Sequence, residues 1–105
     1  MRKKVIIVDI DGTICSTTDG SYEKAIPNYK MISAINKLYD DGCIINYWTA
    51  RGTTTNIDWT DVTKKQLKLW GCKYHEVKLG KPFYDLFIDD KCIVADDFLK
   101  NGSSI

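Results

Sequence analysis

The sequence predicts an α/β fold of three layers with a mainly parallel sheet. Three observations predict it: short β-branched runs, helical stretches alternating with them, and acidic and polar residues gathered where the strands should end.

The first strand is Val5-Ile6-Ile7-Val8, apolar on both faces as a central parallel strand requires. A turn-rich stretch from Asp11 to Ser21 follows, and its Asp19-Gly20 pair suggests a small hairpin or flap. Pro27 suits the first turn of a helix, in which Ile32, Ile35, Leu38 and Tyr39 recur at helical spacing until Gly42 ends it. Cys43 to Trp48 reads as a second strand, and polar Thr49 to Trp59 as a loop. A second helix is expected from about Asp61 to Trp70, capped by Thr60 and stopped by Gly71. Its buried stripe would be Val62, Leu67 and Trp70. Further short strands are expected at Tyr74 to Val77, Asp85 to Ile88 and Cys92 to Ala95.

The size, 105 residues, suits one domain, 1–105, with a modest core and no room for a separate substrate-covering domain. Fifteen Lys and Arg balance fourteen Asp and Glu, so no nucleic-acid partner is indicated. Lys64, Lys65 and Lys68, the densest basic group, read as a solvated helix face. The apolar run after Arg2-Lys3-Lys4 is broken by Asp9, far short of a signal-peptide core, and no stretch could span a bilayer. A cytoplasmic protein with no membrane partner is therefore expected. Cys15, Cys43, Cys72 and Cys92 form no C-x-x-C pair, and His75 is the one histidine, which speaks against zinc. Reduced, mostly buried thiols are the expectation.

The chemistry collects at the strand ends. Asp9 and Asp11, spaced i and i+2 as the chain leaves the first strand, can both reach the crevice at its carboxyl end. Thr49 ends the second strand, Asp89 and Asp90 end the strand after Tyr84, and Lys81 lies just before that strand. Carboxylates crowded in this way repel one another and need a cation. Oxygen ligands without His or Cys favour a hard ion, for which Mg²⁺ is the natural choice. A phosphate ester fits such a site: the metal and Lys81 neutralise its oxygens and Thr49 donates a hydrogen bond. One carboxylate can attack phosphorus, and a second can protonate the leaving group and later deprotonate water.

With these residues in place, the sequence resembles the haloacid dehalogenase (HAD) superfamily of phosphohydrolases. Asp9-Ile10-Asp11-Gly12-Thr13 matches its D-x-D-G-T motif, Thr49 its second motif, Lys81 in Gly80-Lys81-Pro82 its third, and Ile88-Asp89-Asp90 its acidic fourth. More narrowly, Trp48 to Gly52, Ile57-Asp58-Trp59 and Lys81 to Lys91 resemble small phosphatases of bacterial capsule polysaccharide biosynthesis. The resemblance implies a Rossmann-like, HAD-like fold without a cap domain, and an aspartyl-phosphate formed on Asp9, with Asp11 as general acid and base. It further implies Mg²⁺ held by the Asp9 carboxylate, the Asp11 backbone carbonyl and Asp89, with Asp90 ligating directly or through water. Thr49 and Lys81 would hold the phosphoryl group, with backbone N–H groups near Ile10, Asp11 and Ala50. Two departures stand out: Ile93 occupies a position that is acidic in many relatives, and Lys78 competes with Lys81. Asp96 and Asp97 read as helix-start or surface acids.

The implied substrate is a small phosphorylated molecule, above all a sugar phosphate. Without a cap, the flap from Thr13 to Ser21 and the loop from Arg51 to Trp59 must contact it, with Arg51 the best candidate to pair with a phosphate or carboxylate. Trp59 either meets a sugar or anchors the loop, and His75 reads as structural before it reads as a contact. A homo-oligomer in which a neighbour shields the site is a hypothesis motivated by the missing cap and the 11% aromatic content. The rival readings are a phospho-acceptor signalling module and a non-catalytic binding subunit.

Overall fold

In the computed structural model, which describes residues 2–101, three strands form one parallel sheet in the order β1-β2-β3. β1 is Val5–Val8, β2 is Ile44–Trp48 and β3 is Glu76–Lys78. The register sets Ile6 beside Ile45, Val8 beside Tyr47, and Tyr47 beside Val77. Those five residues share a face, and on it the core is built.

Helix α1, Tyr29–Asp40, connects β1 to β2 and turns Met31, Ile32, Ile35 and Leu38 inward. It starts two residues after Pro27, because Asn28 takes the cap: its side chain accepts the Met31 N–H at 3.2 Å. Its end is a Schellman turn, with Gly42 N–H bonded to the Tyr39 carbonyl and Cys43 N–H to the Leu38 carbonyl. Helix α2, Thr60–Leu69, ends the same way at Gly71 and Cys72. Its cap differs from expectation: Thr60 is the first helical residue, and Asp58 accepts its N–H at 2.9 Å. Leu67, Trp70 and Thr63 are its buried residues, whereas Val62 is half-buried. Lys64, Lys65 and Lys68 are exposed, as a solvated face should be.

The remaining expectations shift. The third strand starts two residues late, and residues 92–95 form no strand; Ala95–Asn101 is a helix, α3, with Asp96 and Asp97 in its first turn. The largest correction concerns Asp85 to Ile88, which is exposed and forms no strand, with no strand paired to it among the described residues. A strand without a neighbour leaves its backbone groups unpaired, so the apolar pattern alone does not make one.

Both long helices contribute to a single cluster with the Ile6–Val8–Tyr47 face. The opposite face is open: Val5 is 53% and Ile7 64% exposed. All four cysteines are free; burial pushes the Cys15 thiol up to about 12 and that of Cys72 up to about 11, so both stay protonated near neutral pH. No helix among the described residues is long and apolar enough to cross a membrane.

Candidate active site

Beyond β1 the backbone alternates. Ile10 is fully buried under the turn, while Asp9 and Asp11 on either side of it line a crevice of about 370 Å³ at the carboxyl end of the sheet. The Ile10 carbonyl accepts the N–H groups of Thr13 and Ile14, which fixes the turn. The flap is then closed at its base by bonds from Ser16 to Ile26 and from Asn28 to Ile14.

Thr49 continues from β2 and is 1% exposed. Its N–H donates to the Lys78 carbonyl and its carbonyl accepts the Lys81 N–H, each at 3.0 Å. Thr53 adds a bond to the Lys81 carbonyl at 2.7 Å. The loop is thus clipped to the end of β2, which delivers Lys81 Nζ to 3.7 Å from Asp9 Oδ1. Lys81 is buried among the rings of Trp48, Tyr84 and Phe87 and donates to the Tyr84 hydroxyl at 3.2 Å. Lys78, its rival, is exposed and pairs with Glu76. Burial pushes the Asp9 carboxyl above its ordinary value; Lys81 and the Ile10 N–H oppose this, and Asp11 adds to it.

Arg51 has a different task from the one expected. It is 2% exposed, and its guanidinium grips both Asp11 oxygens at 2.9 Å. It also donates to Thr63 at 3.1 Å and Gln66 at 2.6 Å, and lies over the Tyr22 ring. With the remaining N–H directed at Cys15 Sγ, 3.9 Å away, the planar fork is engaged within the chain and orients Asp11. Thr63 and Gln66 were invisible as site residues in the sequence; their spacing of three on one helix face next to a loop arginine was the available signal. Gln66 also donates to the Tyr22 carbonyl at 2.6 Å and ties the flap to the same network. Thr18 of the flap lines the crevice with a buried hydroxyl that has no partner among the described residues.

Trp59 packs edge-on against Tyr22, ring centres 4.9 Å apart, and so ties the loop to the flap. Gly52 holds that loop at φ +79°, where an added Cβ would lie 2.1 Å from the Ile57 carbonyl oxygen and 3.2 Å from Trp59. Gly52→Ala should therefore destabilise the protein by more than about 1 kcal/mol and displace Arg51, read as a lowered melting temperature with weakened activity. His75 is structural: its Nδ1 accepts the Ile45 N–H at 3.1 Å and its ring stacks on Tyr39.

Asp89 and Asp90 do not join the crevice. Both are exposed in a turn, where a side-chain hydrogen bond with Asp90 and the Lys91 N–H hold the Asp89 carboxyl below its ordinary value. Among the described residues no group of three or more His, Cys, Asp or Glu is placed to hold a metal. With Asp89 and Asp90 away from the crevice, one chain offers a cation the Asp9 carboxylate, beside a lysine, and the Asp11 backbone carbonyl. That falls short of the set expected from the sequence, which adds Asp89 and Asp90 to the Asp9 carboxylate and the Asp11 carbonyl.

No protein-family model and no curated protein sequence matches the chain. Among solved structures, a structural-genomics target from Vibrio cholerae superposes with a TM-score of 0.84 at 26% identity, over 91% of this chain and 87% of that one. The D,D-heptose 1,7-bisphosphate phosphatase from B. bronchiseptica, crystallised with magnesium and phosphate, superposes with a TM-score of 0.56 at 20% identity. The chain has a HAD-like fold. Of the phosphatase it spans about half, 54% of the length, against 85% of its own. Between Thr13 and Trp48 the chain holds the flap, α1 and β2, and between Ala50 and Gly80 the Gly52 loop, α2 and β3.

Proposed function

We propose that the chain is a phosphoric monoester hydrolase that forms an aspartyl-phosphate on Asp9. The observation that carries this reading is the half-buried Asp9 carboxylate facing the Lys81 ammonium at 3.7 Å, with Thr49 locked to the same loop. A phosphoryl group seated there meets a nucleophile, a cation and a hydroxyl donor together.

An Asp9 oxygen attacks phosphorus, the bond from phosphorus to the ester oxygen breaks, and the leaving alkoxide takes a proton from Asp11. Water then gives a proton back to Asp11 and attacks the acyl phosphate, which releases inorganic phosphate and restores Asp9. Arg51 keeps Asp11 aimed at the crevice throughout. Thr49 Oγ1 accepts the Arg51 N–H at 3.2 Å, which leaves its proton free for a phosphoryl oxygen.

Mg²⁺ belongs to the proposal because the heptose bisphosphate phosphatase was crystallised with it. Asp9 and the Asp11 carbonyl would hold it, joined by Asp89 and Asp90 only where the segment 82–94 is brought to a crevice, and it would neutralise phosphoryl charge there. The same neighbour and the loop motifs favour sugar phosphates as the substrate class. Purified protein should release phosphate from small sugar phosphates ahead of nucleotides, and EDTA should remove the activity. A stable acyl phosphate without turnover would instead support the phospho-acceptor reading.

A further inference from the structure

The edge of β1 away from β2 pairs with no strand among the described residues, and the face beside it exposes Val5 and Ile7. Ile7 also lines a shallow depression of about 260 Å³ with Asn46, Tyr47, Trp48 and Lys78. Elsewhere in the same chain the arm 82–94 carries Leu86 at 76%, Ile88 at 88% and Val94 at 67% exposure. An unpaired edge and an uncovered apolar strand are both features that folded proteins avoid leaving in water.

The chain cannot satisfy one with the other. Lys81 is fixed at the carboxyl end of the sheet by its bonds to Thr49 and Thr53. To end with Asp89 beside Asp9, the segment Asp85 to Ile88 would run parallel to β1 and start at its far end. From Asp85 to Asp89 a strand spans about 13 Å, and the four residue steps from Lys81 to Asp85 reach about 14 Å when fully extended, which leaves nothing for the sideways passage of about 10 Å from the Thr49 strand past β1. Parallel neighbours in one chain need a crossover of about a dozen residues or more. Running antiparallel, the segment would carry Asp89 to the wrong end. The arm's return is fixed as well, since α3 packs through Phe98 and Leu99 on the core beside α1.

We propose that two copies of the chain exchange their arms, each laying Asp85 to Ile88 along the free β1 edge of the other. Each site then takes Asp9, Asp11, Thr49 and Lys81 from one chain and the Asp89-Asp90 pair from its partner copy. Donor and acceptor surfaces lie on the same chain, so a two-fold exchange uses both copies' arms and β1 edges and closes. It buries the aliphatic row and completes the acidic set that one chain lacks. The part concerning Asp89 and Asp90 rests on the phosphatase reading; the exchange itself does not.

Light scattering on the purified protein should give twice the 12.0 kDa chain mass, and a monomer at working concentrations would overturn the proposal. Leu86→Asp changes a side chain that is exposed in a single chain, so it should yield a folded monomer by circular dichroism; a persisting dimer would overturn it. Co-expressed, differently tagged Asp9→Asn and Asp89→Asn chains should form a mixed dimer with one wild-type site, and about half of wild-type activity. An inactive mixed dimer beside an active wild type would place each site within one chain and defeat the exchange. If the wild type releases no phosphate from any substrate, the phosphatase reading fails, while the mass and the Leu86→Asp result still decide the exchange.

Discussion

Asp9→Asn is expected to bring phosphate release to background while the protein remains folded. An amide is a poor nucleophile toward phosphorus, and among the described residues no other carboxylate pairs with Lys81. The effect on stability should be small or favourable. Burial raises the Asp9 carboxyl above its ordinary 3.8 more than Lys81 lowers it, so the folded chain binds this proton more tightly than the unfolded one. The group's contribution to stability is therefore greatest below the ordinary value and declines as pH rises through the raised one. At neutral pH ionised Asp9 is a cost that the amide removes. Lys81 retains the Tyr84 hydroxyl and the surrounding rings, so it is not stranded. A phosphate-release assay beside a thermal melt reads both effects, and hydrolysis at the wild-type rate would sink the assignment of Asp9.

The elements nearest the sheet were legible because local signals and tertiary contacts agree there. Val5–Val8, the helix closed by Gly42 and the helix closed by Gly71 fall where periodicity and terminators put them. The positions of Asp9, Thr49 and Lys81 followed, since strand ends in a parallel sheet point to one crevice. Asp85 to Ile88 carries an equally strong local pattern, but a strand is realised only where a neighbouring edge can be reached. That depends on the three-residue connection from Lys81, which periodicity does not register. Arg51 was misjudged for a related reason. A loop arginine beside a phosphate motif reads as a substrate contact, whereas its acceptors come from Asp11 and from α2, a helix distant in sequence. The choice between Lys78 and Lys81 likewise turned on backbone bonds to Thr49, Lys78 giving its carbonyl and Lys81 its N–H, which leaves the Lys81 side chain facing Asp9.

Arg51→Ala should be the most damaging change away from the nucleophile, through activity and stability together. Its guanidinium side chain is 0% exposed and bonds Asp11, Thr63 and Gln66, so truncation leaves a partly buried carboxylate and two further acceptors, Thr63 fully buried, without their donor. Breaking a buried pair by removing one partner costs about 3–5 kcal/mol. In a chain of this length each kcal/mol corresponds to roughly 4–8 °C in melting temperature, so a loss well above 10 °C is expected on about that scale. Arg51→Lys separates the two roles. A lysine restores a positive charge beside Asp11 but lacks the planar fork, so it should recover part of the stability while Asp11 remains free to rotate. Its activity should stay roughly 10²–10⁴-fold low, the range for loss of a positioned acid–base group, and so resemble Asp11→Asn. If Arg51 instead bound substrate, Arg51→Lys would raise KM with kcat little changed, and the flap contact through Gln66 and Tyr22 would be untouched. A fall in kcat at near-constant KM, in a protein that melts close to wild type, is the result that identifies Arg51 as the residue aiming Asp11.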